Sequence, residues 1–280
     1  MFLIPLVLGA LAIINPFISL ILIMMFIGKT IEFSLISPIR AIGIFFVIPL
    51  IVIMLDSSMS TTVLVTDGVI GVGFTAVVYL IALRGLHNMC SAFSVAAVLI
   101  VVYGICRYYF FGDYLALANE RAFSEVQSSL PQLFDGDIMQ KSISLIKAIW
   151  PAVWIVSHLM ALFIGFILFQ RQMGLRFNWQ ELAFPKYYVL LIIAILPLYL
   201  VPGMQMLFIN AMLALCFLPF IQGIGVMLHK LSKLIANKML RAALLVLILL
   251  NTVSYLLITL LGFADLWLDL RKLHPGGNLT

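Results

Sequence analysis

The chain has 280 residues, 64% of them hydrophobic and only 10% charged. Soluble domains run near 45–50% apolar and about 25% charged, so this composition, with a mean hydropathy of +1.21, excludes a water-soluble domain. It specifies an integral membrane protein whose long charge-free runs are helices. The net charge is +5, but the basic residues sit in short connections between apolar runs. There they read as a membrane-orientation signal, and nucleic acid is excluded as a partner.

In chain order, apolar runs at 2–28, 39–55, 68–83, 89–110, 148–169, 187–202, 205–228 and 242–262 predict about eight transmembrane helices, with seven to nine as the range. The fold class is an all-α, polytopic helical bundle, with 1–280 as a single membrane domain. Met1–Gly28 carries no charge and no clear cleavage site, and reads as a retained span. Asn15-Pro16 lies at its centre, so the run is either one kinked helix or a tight pair of half-helices.

The one long polar connection, 107–147, reads as a helical extramembrane loop. Asp113 is placed to cap a helix carrying Leu115, Ala118, Ala122 and Val126. Pro131 and Asp135-Gly136-Asp137 end it, and a second amphipathic stretch starts near Ile138. Two short helices lying on the surface are expected, as a lid over the bundle or as a gate.

Strict alternation through eight spans sorts the charges. One side has ten basic and two acidic residues, net +8; the other has six and nine, net −3. The positive-inside rule makes loops 170–186 and 229–241 cytoplasmic and 107–147 external, with the C-terminal stretch external too.

The chain has no phosphate-binding loop, no H-E-x-x-H, no G-x-S-x-G and no C-x-x-C. Nothing in it calls for a cofactor, a metal or catalysis. Cys90, Cys106 and Cys216 are odd in number, widely spaced and in apolar surroundings, so they read as small core residues.

Intramembrane polar groups are therefore the candidates. Trp150, Trp154 and His158 share a helix face, which is either a packing seam or an aromatic-lined ligand cavity. Asn210 and Gln222 are neutral polar candidates. Twelve residues apart, they lie about 120° and about 18 Å apart on one helix, too far to form one site alone. At the C-terminus, Asp265, Asp269 and Arg271 form an anchor or an ion-pairing and docking cluster. On a continuing helix Arg271 faces away from Asp265, so Arg107, Arg121, Lys141 or Lys147 is the expected partner of Asp265.

Phe184-Pro185, Asn210, Gln222-Gly223, Gly262, Asp265, Asp269 and Arg271 resemble the pattern of the YybS-like family of bacterial membrane proteins. The likeness covers roughly 148–272, with Gly68, Gly71 and Arg84 echoing it earlier. That family is similar in shape to substrate-binding components of energy-coupling-factor transporters. The resemblance implies a multi-pass protein of the bacterial cytoplasmic membrane that binds a small molecule and has no ATPase of its own. The alternative expectation is a structural or assembly subunit that contacts other membrane subunits.

Overall fold

The computed structural model describes residues 3–31, 36–129 and 137–272. Among these the regular structure is helical: α1 (Leu3–Ile14), α2 (Pro16–Ile31), α3 (Ile36–Phe45), α4 (Val47–Leu55), α5 (Met59–Thr66), a π-helix (Asp67–Phe74), α6 (Thr75–Leu86), α7 (Met89–Ser129), α8 (Asp137–Gln172), α9 (Tyr188–Ile195), α10 (Gln205–Leu215), α11 (Phe217–Leu234), α12 (Lys238–Leu249) and α13 (Thr252–Leu268). Several join end to end. Five continuous stretches are long and apolar enough to cross a membrane: Pro38–Leu55, Met59–Leu86, Met89–Ser129, Lys141–Gln172 and Gln205–Leu234. Counting the bent pair α12–α13 as one gives six. The helical membrane class stands, and by length and hydropathy five or six stretches, not the expected eight, are long enough to be full spans.

Three expected spans account for the difference. The first run is a pair of helices broken at Asn15. Pro16 takes the first helical position of α2, and the Asn15 side chain accepts a bond from Ile18 N–H at 3.1 Å. The buried Ser19 hydroxyl donates to the Leu8 carbonyl at 2.8 Å. In a straight helix those residues would be about 16 Å apart, so α2 folds back on α1. The run at 187–202 forms a shorter apolar helix, Tyr188–Leu200, below the length of a full straight span. The last run bends by 112° between α12 and α13.

The polar connection 107–147 is also built differently. Its helical residues are continuations of the spans. At about 1.5 Å per residue, α7 is about 60 Å long, twice a bilayer's hydrocarbon thickness. Asp113 lies inside α7 and caps nothing. The break expected at Pro131 and Asp135-Gly136 lies outside the described residues. All three cysteines are free, and Cys106 is exposed on the outer surface of α7 instead of sitting in the core.

One hydrophobic core runs from Leu8 to Leu266. The tightest crossing joins α11 and α13. A Cβ on Gly223 would strike the Ile258 carbonyl, and one on Gly262 would strike the Pro219 carbonyl. Only glycine permits backbones to meet this closely. The segment 173–187, irregular apart from a 3₁₀ turn at Trp179–Glu181, folds back along α8. Trp179 packs on Phe163 at 5.4 Å between ring centroids, nine residues before the end of α8, or about 14 Å along its axis.

Candidate functional site

The site is assembled from four elements. Asp67 opens the π-helix and is buried, 3% exposed. Arg107 of α7 reaches it with two parallel bonds, Nε to Oδ1 at 2.7 Å and Nη2 to Oδ2 at 2.8 Å. The Tyr103 hydroxyl, one turn earlier, donates to Oδ1 at 2.7 Å. A bidentate guanidinium–carboxylate pair with a third donor offsets part of the cost of burying two charges. Asp67 and Tyr103 were not singled out by the sequence, and Arg107 was among the expected partners of Asp265 instead. The available signal was Tyr103 and Arg107 at i and i+4 on one face, opposite an aspartate followed by Gly68, Gly71 and Gly73.

The guanidinium carbon of Arg107 lies 4.5 Å over the Trp154 ring, a cation–π contact. Trp154 in turn lies against His158, with centroids 3.8 Å apart. Phe17, in the first turn of α2, packs tilted against the imidazole at 4.3 Å. His158 is 0% exposed, and neither ring nitrogen makes a hydrogen bond of ordinary geometry, the Trp154 backbone one turn earlier being a polar neighbour within looser reach. Its Nε2 lies 3.3 Å from the position a Cβ on Gly71 would take, so glycine there leaves room for the ring. A buried imidazole without a well-formed hydrogen bond is expensive in an apolar interior. It sits where a π-helix and a broken helix pair meet, and both features recur at functional sites in helical proteins.

Trp150 and Trp154 do share a face, as their spacing predicts. They line a small pocket of about 80 Å³ together with Arg107 and Lys147. That is below the roughly 300 Å³ at which ordinary ligand sites begin, and His158 does not line it. Of the two readings of this face, the packing described takes the form of the seam, an aromatic stack in which His158 is 0% exposed.

Asn210 and Gln222 lie apart from this stack, and their polar atoms are occupied. Pro151 interrupts α8, and the Asn210 side chain inserts beside it. Oδ1 accepts from Ala152 N–H at 2.9 Å, and Nδ2 donates to the carbonyls of Ala148 at 3.1 Å and Met206 at 2.8 Å. It replaces the helical bond from 152 to 148. Gln222 Oε1 accepts from Phe184 N–H at 3.0 Å, and its Nε2 donates to Asp265 Oδ2 at 2.7 Å.

Asp265 leads to the second buried pair. Its partner is Arg271, with Nη2 at 2.7 Å and Nε at 3.1 Å from Oδ2, and not one of the four external residues expected. The expectation assumed a continuing helix. Instead α13 ends at Leu268, and Asp269 takes the left-handed conformation at φ 42°, which turns Arg271 back under Asp265. Arg271 also donates to the carbonyls of Gln180 at 3.1 Å and Leu182 at 2.7 Å. Segments that the charge count places on opposite sides of the membrane therefore meet. The folded-back 173–187 segment and the bent α12–α13 pair are the reasons.

No known family model, curated protein or solved structure matches the chain.

Proposed function

We propose that this chain is a transport or small-molecule-binding component of a membrane, with no ATPase of its own, and that Asp67, Tyr103, Arg107, Trp154 and His158 form its working site. The single observation that carries the reading is the buried His158, without a well-formed hydrogen bond and stacked in line with a buried Asp67–Arg107 pair at the break between α1 and α2. Ionisable residues kept inside a bundle at such cost mark ligand and ion pathways by default. Half-helices that meet inside the bundle are the usual frame for them. On this reading the packing described is a closed state, with the pocket at Arg107 and Lys147 as its external vestibule. The YybS-like resemblance and the bacterial cytoplasmic membrane belong to the same proposal. So does an orientation with 170–186 and 229–241 cytoplasmic and 107–147 external, motivated by the +8 against −3 charge split; it requires 187–202 to cross the membrane before Gln205–Leu234 returns.

The second reading, a structural or assembly subunit, rests on the long α7–α8 extension. Leu117, Val126, Leu145 and Ile146 are exposed there, where another membrane subunit could bind.

Native mass spectrometry of the purified protein separates the two. The proposal expects a retained small molecule in the wild type, lost in His158→Phe and in Trp154→Leu, with both variants still folded. A molecule retained equally by both variants would sink the site. A co-purifying protein subunit with no small molecule would favour the assembly reading.

A further inference from the structure

A larger cavity lies elsewhere, between α3 and α6. It measures about 460 Å³, well inside the range of ordinary ligand sites. Its wall has a direction. Ile42, Val77, Leu80 and Ile81 make it apolar, while Arg84 and His87 make its end basic. From Val77 to His87 the slot follows α6 for ten residues, about 15 Å. Its polarity therefore changes along one axis, as it does along an amphiphile.

The mouth opens sideways. Ile39 and Ile81, one on each wall, are 60% and 64% exposed. Both lie in stretches apolar enough to span a membrane, Pro38–Leu55 and Met59–Leu86. A molecule entering between them comes from the lipid phase. The basic end coincides with the end of that second stretch, where α6 stops at Leu86 and His87 turns at φ 52°. Lipid headgroups lie at this depth. Arg84 is exposed and has no hydrogen bond or ion pair among the described residues, and the space around Gly85 is open. The carbonyls that end α6 repel an anion on the helix axis, so an anion here is held by the Arg84 side chain, whose fork suits a phosphate. Basic pockets between spanning helices bind anionic headgroups in this way.

We propose that this slot binds an anionic phospholipid, with one acyl chain along Ile42, Val77 and Leu80 and the phosphate on Arg84. This goes beyond the proposed working site, which lies around Asp67 and His158, and neither depends on the other.

The test is native mass spectrometry of the full chain in detergent, with phosphatidylglycerol, phosphatidylcholine or palmitate added. The wild type should retain phosphatidylglycerol over phosphatidylcholine. Arg84→Gln should lower phosphatidylglycerol retention about fivefold, the worth of one basic residue at a lipid surface, with thermal stability unchanged because Arg84 holds no internal contact. Val77→Trp, which fills the apolar part, should lower retention of both lipids. Equal retention of the two lipids, undiminished retention in Arg84→Gln, or wild-type retention in Val77→Trp would each overturn the proposal. So would displacement of phosphatidylglycerol by an equal amount of palmitate, which would assign the slot to a free fatty acid.

Discussion

Asp67 and Asp265 are each buried against an arginine, and their surroundings differ in kind. Asp67 is bound by a residue forty positions away on another helix, and its arginine faces a pocket shared with Lys147. Asp265 is bound by a residue six positions away, and the Arg271 side chain is 0% exposed. Arg271 also holds two loop carbonyls, and the second oxygen of Asp265 has no partner at all. The first pair joins separate helices beside a space that water or a ligand can enter. The second locks a folded-back segment, with Nε, Nη1 and Nη2 of Arg271 each bound to Asp265 or to a loop carbonyl. The same chemistry therefore sits in two settings: the first pair bridges separate helices beside a small pocket, and the second holds a chain reversal.

Arg271→Gln should produce the largest effect. It strands the buried Asp265 carboxylate and frees the carbonyls of Gln180 and Leu182. Breaking a buried pair by removing one partner costs about 3–5 kcal/mol. The melting temperature in detergent should fall steeply, and Asp265→Asn in the same chain should recover part of the loss. A wild-type melting temperature for Arg271→Gln would break the comparison at its premise.

Arg107→Gln should cost less, about 1–3 kcal/mol. Asp67 keeps its bond from Tyr103, and the adjacent pocket lets water approach the uncovered oxygen. Trp154 loses the cation over its ring, so its fluorescence should change as well. A loss of stability as large as that of Arg271→Gln would show that the two pairs are not different in kind.

These residues were unequally legible in the sequence. Composition alone dictates a helical membrane protein, because so few charges cannot solvate so long a chain. Asn15-Pro16 marks the first break through ordinary helix-capping chemistry. Trp150, Trp154 and His158 share a face because α8 keeps its helical period past Pro151, with Asn210 bridging the defect. Eight apolar runs do not give eight full-length straight spans, because apolar length does not ensure straightness. The bend at 249–253 carries a local signal that was not used, Asn251, whose side chain caps α13 by accepting from Val253 N–H at 2.9 Å. Nothing local marks the return of 173–187 along α8.

The length of α7 was misread for a different reason. Charge appears after Arg107, but no proline or glycine interrupts residues 113–129, so the helix continues into its polar part. The Asp67–Arg107 pair was missed because each residue sits where hydropathy ends a span, and tertiary packing buries both. Asp265 was recognised and given the wrong partner, because a left-handed aspartate at the helix end reverses the chain.

A third aspartate gives the smallest effect and sharpens the contrast, because it is fully exposed. Asp56 lies between α4 and α5. Its Oδ1 accepts from Ser58 N–H at 2.9 Å, and its Oδ2 accepts from the Ser58 hydroxyl at 3.1 Å and from the Thr61 hydroxyl. Ser58 in turn caps α5 by accepting from Thr61 N–H at 3.3 Å. The Thr61 hydroxyl first, and then Ser58, hold the Asp56 carboxyl below its ordinary 3.8. A carboxylate whose folded value is depressed stabilises the fold above its unfolded value, about 3.9, and loses that contribution as pH falls through the folded value. Between about pH 6 and about pH 3 the wild type should therefore lose a small increment of melting temperature that Asp56→Asn does not, because asparagine keeps an acceptor and has no charge to lose. Water screens this site, so the increment should be well below that of either buried pair. Melting curves of both proteins across that window provide the measurement. Equal losses in wild type and variant would mean that the capping bonds do not stabilise the charged form, and that acid sensitivity originates elsewhere in the chain.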